Sequence, residues 1–276
     1  MDSTTTLEEI SLLDTFQTTT IQGGRVVALA QLENIKRCVH YAENRDVPAL
    51  QNTSHLSAHL KFGTISVREA YAAITKDLGF EHSLLRQLYW RDFLTHIAFH
   101  FPQVFGHAFV EKFDKIPWEN DLQKFQAWTD GKTGFPIVDA GMRELNETGF
   151  MHNRVRMMVA SFLTKDLRSS WRWGERYFAQ HLIDYDPCLN NGNWQWSAST
   201  GCDAQPYFRI FNPWLQQQKF DPNCEYIYRH VPELRAISAK ILHQWDKKHY
   251  GNFYPKPIVD HSYESSLTKA LFKGME

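Results

Sequence analysis

Net charge is what this chain most plainly lacks. Thirty basic residues against 31 acidic ones leave −1, so no global positive field draws it to nucleic acid or to an anionic membrane. Any contact with DNA has to come from a local patch. Cysteine is scarce as well: Cys38, Cys188, Cys202 and Cys224 form no CxxC pair and keep no regular spacing. That argues against a disulfide framework, an iron–sulfur site or a bound metal, and for reduced thiols in a cytoplasmic setting (nucleoid-associated if the source is bacterial). No apolar run is long enough to span a bilayer, so no membrane is expected as a partner. Residues 1–22 are polar and Thr-rich and lack the basic-then-apolar order of a signal peptide. They read as an arm or linker remnant ahead of one domain over 23–276. Internal repeats, low-complexity tracts and alternating strand patterns are also absent. What is left is an all-α domain, and 276 residues suffice for a full core.

What is present is helical spacing and tryptophan, the latter clustered in the second half. Apolar residues from Arg25 to about Asn44 recur at helical intervals, and Arg45-Asp46-Val47-Pro48 ends that helix. Thr53 and Ser54 precede a short helix; on pattern alone they read first as N-caps, and their hydroxyls are also what binds phosphate. Ser66-Val67-Arg68-Glu69 is a capping box, and Gly79 closes its helix. His82 to Phe101 is apolar on most sides and stops at Pro102. Trp118 sits in a loop before a helix over 120–130, followed by helices from Gly134 to Gly149 and from His152 to about Leu167. Seven basic residues face four acidic ones between Gly141 and Gln180, the one local excess that could be a patch. Val231-Pro232-Glu233-Leu234 predicts the start of the last strong helix, with a weakly helical tail after Tyr254.

The chain is organised around Asp184-Tyr185-Asp186-Pro187-Cys188-Leu189-Asn190-Asn191-Gly192-Asn193-Trp194-Gln195-Trp196. Its acids, paired Asn and Gly predict a loop. Two indoles beside that loop suggest a place where something flat is held, with Asp and Asn reading its edge. The stretch resembles the flavin loop of the photolyase/cryptochrome family. Further matches are Thr53-Ser54-His55-Leu56-Ser57, Gln87-Leu88-Tyr89-Trp90-Arg91-Asp92-Phe93, His152-Asn153-Arg154-Val155-Arg156-Met157 and Asp203-Ala204-Gln205-Pro206-Tyr207-Phe208-Arg209-Ile210-Phe211-Asn212-Pro213. The match runs from about Gly24 to Ile258. It covers the family's helical flavin half and none of its N-terminal α/β domain, which often holds an antenna chromophore.

The resemblance implies FAD, active in its reduced form, with no antenna pigment; a partner chain could stand in for the α/β domain. It places Tyr41, Thr53, Ser54, Leu56, Ser57, Asn153, Arg156, Asp184 and Asp186 at the cofactor, with Asp184 paired to Arg156 and Asn190 opposite N5. Trp194, Trp171 and Trp118 match the family's chain of electron-passing tryptophans. Trp90 and Trp196 would flank a flipped lesion, with Gln87, Asn153 and Met157 at its base edges. Arg45, Arg154, Arg209 and Gln216 would meet DNA phosphates, alongside the lesion-side residues. The implied activity is splitting of cyclobutane pyrimidine dimers in UV-damaged DNA. A nearly neutral chain should bind single-stranded lesions at least as well as duplex ones. A cryptochrome-like blue-light receptor, a (6-4) photolyase and a non-catalytic binding subunit stay open as alternatives. Asn190 and the Trp90/Trp196 pair favour the enzyme. His152-Asn153, in place of the His pair of (6-4) enzymes, favours cyclobutane dimers, whereas Gln87 points the other way, because cyclobutane-dimer enzymes usually carry Glu there and (6-4) enzymes Gln.

Overall fold

Helices carry the described chain, residues 22–247 and 253–275 of this computed structural model, and no strand occurs among them. The Thr-rich arm expected over 1–22 lies outside the described residues, Gln22 apart. The first helical stretch is not one helix. It breaks into α1 (Arg25–Glu33), a 3-10 turn and α2 (Tyr41–Asn44), because Asn34 leaves the helical region with φ −94 and ψ 16. Then follow α3 (Ser57–Lys61), α4 (Val67–Leu78) and α5 (Leu85–His100). The capping box on α4 is complete: Ser66 Oγ accepts from Glu69 N while the Glu69 carboxylate accepts from Ser66 N. These elements bury Leu32, Ile35, Tyr41, Leu56, Ile74 and Leu88 in a small core of their own.

A larger core holds the remainder: α6 (Leu122–Thr129), α7 (Pro136–Thr148), α8 (Asn153–Ser161), α9 (Trp171–His181), α10 (Pro187–Ala198), α11 (Pro213–Phe220), α12 (Glu225–His230), α13 (Ala239–Leu242) and α14 (His261–Lys273). Helix α7 follows the sequence rule, with Pro at its first turn and Gly149 in the left-handed region at its end. Other expectations need correction. The helix opened by His152 turns into a π-helical turn at Phe162–Asp166, a widening no propensity announces. Val231-Pro232-Glu233-Leu234 opens no strong helix; only a 3-10 turn and the four-residue α13 follow. The tail instead forms the firm 13-residue α14. That helix docks on the π turn: Thr268 Oγ1 donates to Lys165 O (2.6 Å), and His261 Nδ1 meets Asp166 Oδ1 (2.5 Å).

The stretch read as a loop is the largest correction. Only residues up to Asp186 are irregular; Asn190, Asn191, Gly192 and Asn193 are all helical in α10. Asp186 caps it through bonds from Cys188 N and Leu189 N, and Pro187 starts it. Tertiary packing then outweighs the turn preference of Asn and Gly. Asn191 and Gln195 donate to Val104 O, tying α10 to the segment after α5. Gly192 lies so close to α5 that a Cβ there would stand 2.5 Å from Leu94.

Candidate functional site

A cavity of about 490 Å³ opens on the seam between the two cores, within the size range of ligand and cofactor pockets, about 300–1,000 Å³. Tyr41, Leu56, Ile74 and Leu88 line it from the small core, Phe178 and Trp194 from the large one. Thr53, Ser54 and Ser57 present their segment to it. They are not caps: the residue before α3 is Leu56 and contributes no capping bond. Arg37, to which the sequence drew no attention, holds this segment by donating to Thr53 O (3.5 Å) and Ser54 O (3.1 Å). Two of its carbonyls are thus fixed, and Thr53, Ser54 and Ser57 all line the cavity.

Across the cavity, Arg156 donates twice to Asp184 (Nη1–Oδ1 3.1 Å, Nη2–Oδ2 2.9 Å), and its Nε donates to Met151 O (2.7 Å). The bidentate geometry fixes a charge pair whose acid is nearly inaccessible. Asp186 also lines the cavity, though one of its oxygens is committed to the α10 cap. Asn190 is nearly buried and donates its Nδ2 to Glu175 O (3.0 Å). A backbone carbonyl can only accept, so this bond settles the amide orientation and leaves Oδ1 as the unshared end, an acceptor.

Trp90 and Trp196 line this cavity and also a smaller apolar recess beside it, so the two indoles stand at the boundary between them. Trp90 is 46% exposed. Gln87 from α5 and Asn153 and Met157 from α8 line the cavity as well, and Asn153 Nδ2 lies 3.8 Å from Met157 Sδ. Sixteen of the expected residues therefore meet in one place, Arg45 and Trp194 included.

Others do not. Arg154 pairs with Asp46 (2.7 Å) and lies over the Phe220 ring, while exposed Arg209 and half-buried Gln216 lie outside the cavity lining. The basic excess between Gly141 and Gln180 is no patch. Arg143, Arg154, Arg156, Arg168 and Arg172 are paired with Glu233, Asp46, Asp184, Glu119 and Asp114, and Lys165 is buried. Burial alone holds Lys165 down to about 7. The cations that do line the cavity, besides Arg45 and Arg156, are Lys61 and Arg91. Arg91 stood inside the quoted Trp-Arg-Asp segment; nothing in the pattern marked Lys61.

His152 was legible only as a neighbour of Asn153. It caps α8, its Nδ1 accepting from Arg154 N (3.2 Å), so Nε2 carries the ring proton. That N–H has no partner among the described residues, and burial holds the imidazole down to about 4. Trp194 and Trp171 are fully buried, Trp118 partly so; the indole N–H groups of Trp171 and Trp118 find no acceptor among the described residues. No group of metal-ligating side chains forms among the described residues, and no helix there is long and apolar enough to cross a membrane.

A hydroxyl-bearing segment, a fixed charge pair and an amide acceptor lining one cavity fit a dinucleotide-type cofactor carrying a polar ring. Known proteins agree. A family model described as the FAD binding domain of DNA photolyase matches residues 84–274. A deoxyribodipyrimidine photo-lyase of Vibrio cholerae is 49% identical over 255 residues, 88% of this chain and 54% of its own. An archaeal photolyase from Sulfolobus tokodaii, solved with two FAD molecules and an implied light-harvesting cofactor, superposes with TM-score 0.85 at 48% identity, covering 94% of this chain and 58% of its own. A cryptochrome from Synechocystis superposes at 0.83 with 34% identity over the same shares. The chain spans about half the length of the curated relatives it matches.

Proposed function

The chain belongs to the DNA photolyase family, through that family's FAD-binding domain, and from this premise we propose that it repairs UV-damaged DNA with light. Reduced FAD, when bound, supplies an electron that can split a pyrimidine dimer and be returned. One observation carries the reading: the cofactor-side residues and the two indoles Trp90 and Trp196 line the same cavity. Thr53, Ser54 and Ser57 would bind the pyrophosphate, and Arg156 with Asp184 would balance charge at the ring. Asn190 Oδ1 would accept from N5–H, which exists only in reduced forms, so this orientation favours the state that repairs. Trp194, Trp171 and Trp118 would resupply electrons.

Trp90 and Trp196 would hold a flipped dinucleotide by stacking, with Gln87, Asn153 and Met157 at its edges. Extruding a damaged pair costs less than extruding a sound one, which supplies selectivity. The substrate we favour is the cyclobutane dimer, because Asn153 offers no second imidazole beside His152 for the proton movement a (6-4) reaction needs. Gln87 hydrogen-bonds but carries no charge, so Gln87→Glu should match or improve the repair yield, while Asn153→Ala and Trp196→Ala lower it.

The test is to illuminate the reduced protein with an oligonucleotide carrying one cyclobutane dimer and count restored bases. Repair of a (6-4) oligonucleotide with dimers left untouched would refute the lesion assignment. The Synechocystis relative favours a second reading, a photoreceptor that keeps the pocket without repair; a flavin that photoreduces while no lesion is ever restored would establish it. Denaturation should release one FAD per chain. A stoichiometric second chromophore would overturn the expectation of no antenna.

A further inference from the structure

Trp194 has an aromatic neighbour outside the matched chain of tryptophans. The ring centroid of Trp128 lies 6.2 Å from that of Trp194, with the planes at 71°. Trp128 is fully buried, and Phe178 bridges the two, parallel to Trp128 at 6.3 Å and edge-on to Trp194 at 5.0 Å. The surroundings of Trp128 and Trp171 differ in a way that bears on which can lose an electron. Trp128 Nε1 donates to Val159 O (3.1 Å), so positive charge arriving on its indole meets a carbonyl oxygen. Trp171 has no such acceptor among the described residues, and the Arg172 guanidinium lies 4.7 Å from its ring. A cation over a neutral indole is attracted to it; over an oxidised indole it is repelled. Asp114 accepts from Arg172 and tempers that field, but the guanidinium is the group that lies over the ring.

We propose that Trp128 is a side branch of electron transfer that competes with Trp171 to refill Trp194. The inference rests on Trp194 being the donor next to the flavin, as proposed above. Trp194 gives one electron to the light-excited flavin, and Trp128 gives one to Trp194. The flavin is then reduced by one electron and Trp128 oxidised by one. No bond breaks, and the proton stays on Nε1 because an amide carbonyl is not a base.

From Trp128 the vacancy has no exit. Tyr177 is next, at 5.7 Å, but oxidising a phenol near neutral pH requires its proton to leave. Tyr177 OH donates to Asn146 Oδ1 (2.7 Å) and Thr129 O (3.4 Å), and neither takes a proton. Trp173 lies beyond Phe125, a ring too hard to oxidise to serve as a relay. The charge on Trp128 therefore returns, and the branch lowers the yield of reduced flavin.

Trp128→Phe keeps an aromatic ring between Phe125 and Phe178. In the full chain loaded with FAD, a blue flash followed by transient absorption should show more long-lived tryptophan radical. The yield of reduced flavin should rise at least about twofold, the factor for closing one of two branches with comparable barriers, with dark FAD affinity unchanged. Arg172→Gln removes the cation over Trp171 and should raise the yield as well. An unchanged or lower yield in folded, FAD-loaded Trp128→Phe overturns the branch; should that variant fail to bind FAD, the absence of a rise in Arg172→Gln overturns it instead. Trp171→Phe separates the two claims. If it photoreduces at the wild-type level, the donor chain itself is wrong, whereas a deep loss there beside an unchanged Trp128→Phe sinks only the branch.

Discussion

At the residue scale, Asn190 Nδ2 donates to the Glu175 carbonyl, which commits the oxygen of that amide to accepting. Asn190 could be singled out as an amide able to donate or accept; only the Glu175 carbonyl 3.0 Å from its nitrogen makes it an acceptor towards the cavity. His152 is a sharper case, since its environment dictates its protonation. Burial pushes its pKa from 6.5 down to about 4, with Arg156, His55 and Arg154 acting in the same direction and Asp46 against them. Between those two values the unfolded chain binds a proton that the folded one refuses, so this group's contribution to stability rises with pH from about 4 to 6.5 and is lost on acidification. The full swing is roughly 3 kcal/mol. His152→Asn retains a good cap for α8 and removes the titration. Its stability relative to the wild type, measured by urea unfolding, should therefore improve as pH falls from 7 to 5. A pH-independent difference would mean the imidazole titrates normally.

At the scale of elements, α10 joins cofactor and core. Asp186 has two roles there, capping the helix and facing the cavity, and two variants separate them. Asp186→Ala should cost about 1 kcal/mol from the lost cap and weaken FAD binding. Asp186→Asn should keep the cap and the stability, so any loss of FAD affinity it shows, read by fluorescence titration, belongs to the carboxylate alone. The packing of α9 on α10 turns on Gly174, where a Cβ would stand 2.1 Å from Trp194 and 2.6 Å from Leu163. Gly174→Ala should lower stability by about 1–3 kcal/mol through overpacking. It should also displace Trp194, slowing flavin photoreduction; a normal melting temperature with normal photoreduction would show that the helices part easily. The single glycine between two tryptophans and a glutamate in Trp171-Arg172-Trp173-Gly174-Glu175 gave no sign of this contact, because the partner ring is 20 residues away in sequence.

For the molecule as a whole, the pairing of its basic residues bears on the substrate. The net charge is −1, and most arginines in the second half are held by acids of the same chain. Few phosphates can then be neutralised, so duplex affinity and its dependence on salt should both be low. Single-stranded lesions, which need no unpairing, should bind at least as well. Filter binding of the same lesion in single-stranded and duplex form, over a salt series, checks this; markedly tighter duplex binding at moderate salt would contradict it.

Sequence by itself determined the helical class, most helix boundaries set by Pro, Gly and capping boxes, and the identities of the residues that meet in the cavity. The first two depend on local rules of spacing and turn chemistry, which short stretches carry in full; the third came from the resemblance of the motifs to the photolyase/cryptochrome family. Tertiary structure alone decided that Asn190 to Asn193 are helical, that the basic excess is internal, and that the tail is a docked helix. It also decided the placement of Trp128 beside Trp194. Each of these depends on a partner distant in the chain: Leu94 for Gly192, Asp46 for Arg154, Lys165 for Thr268, Trp194 for Trp128. Packing and pairing energies between such partners outweigh the few tenths to about 1 kcal/mol of local propensity, and no local pattern records them.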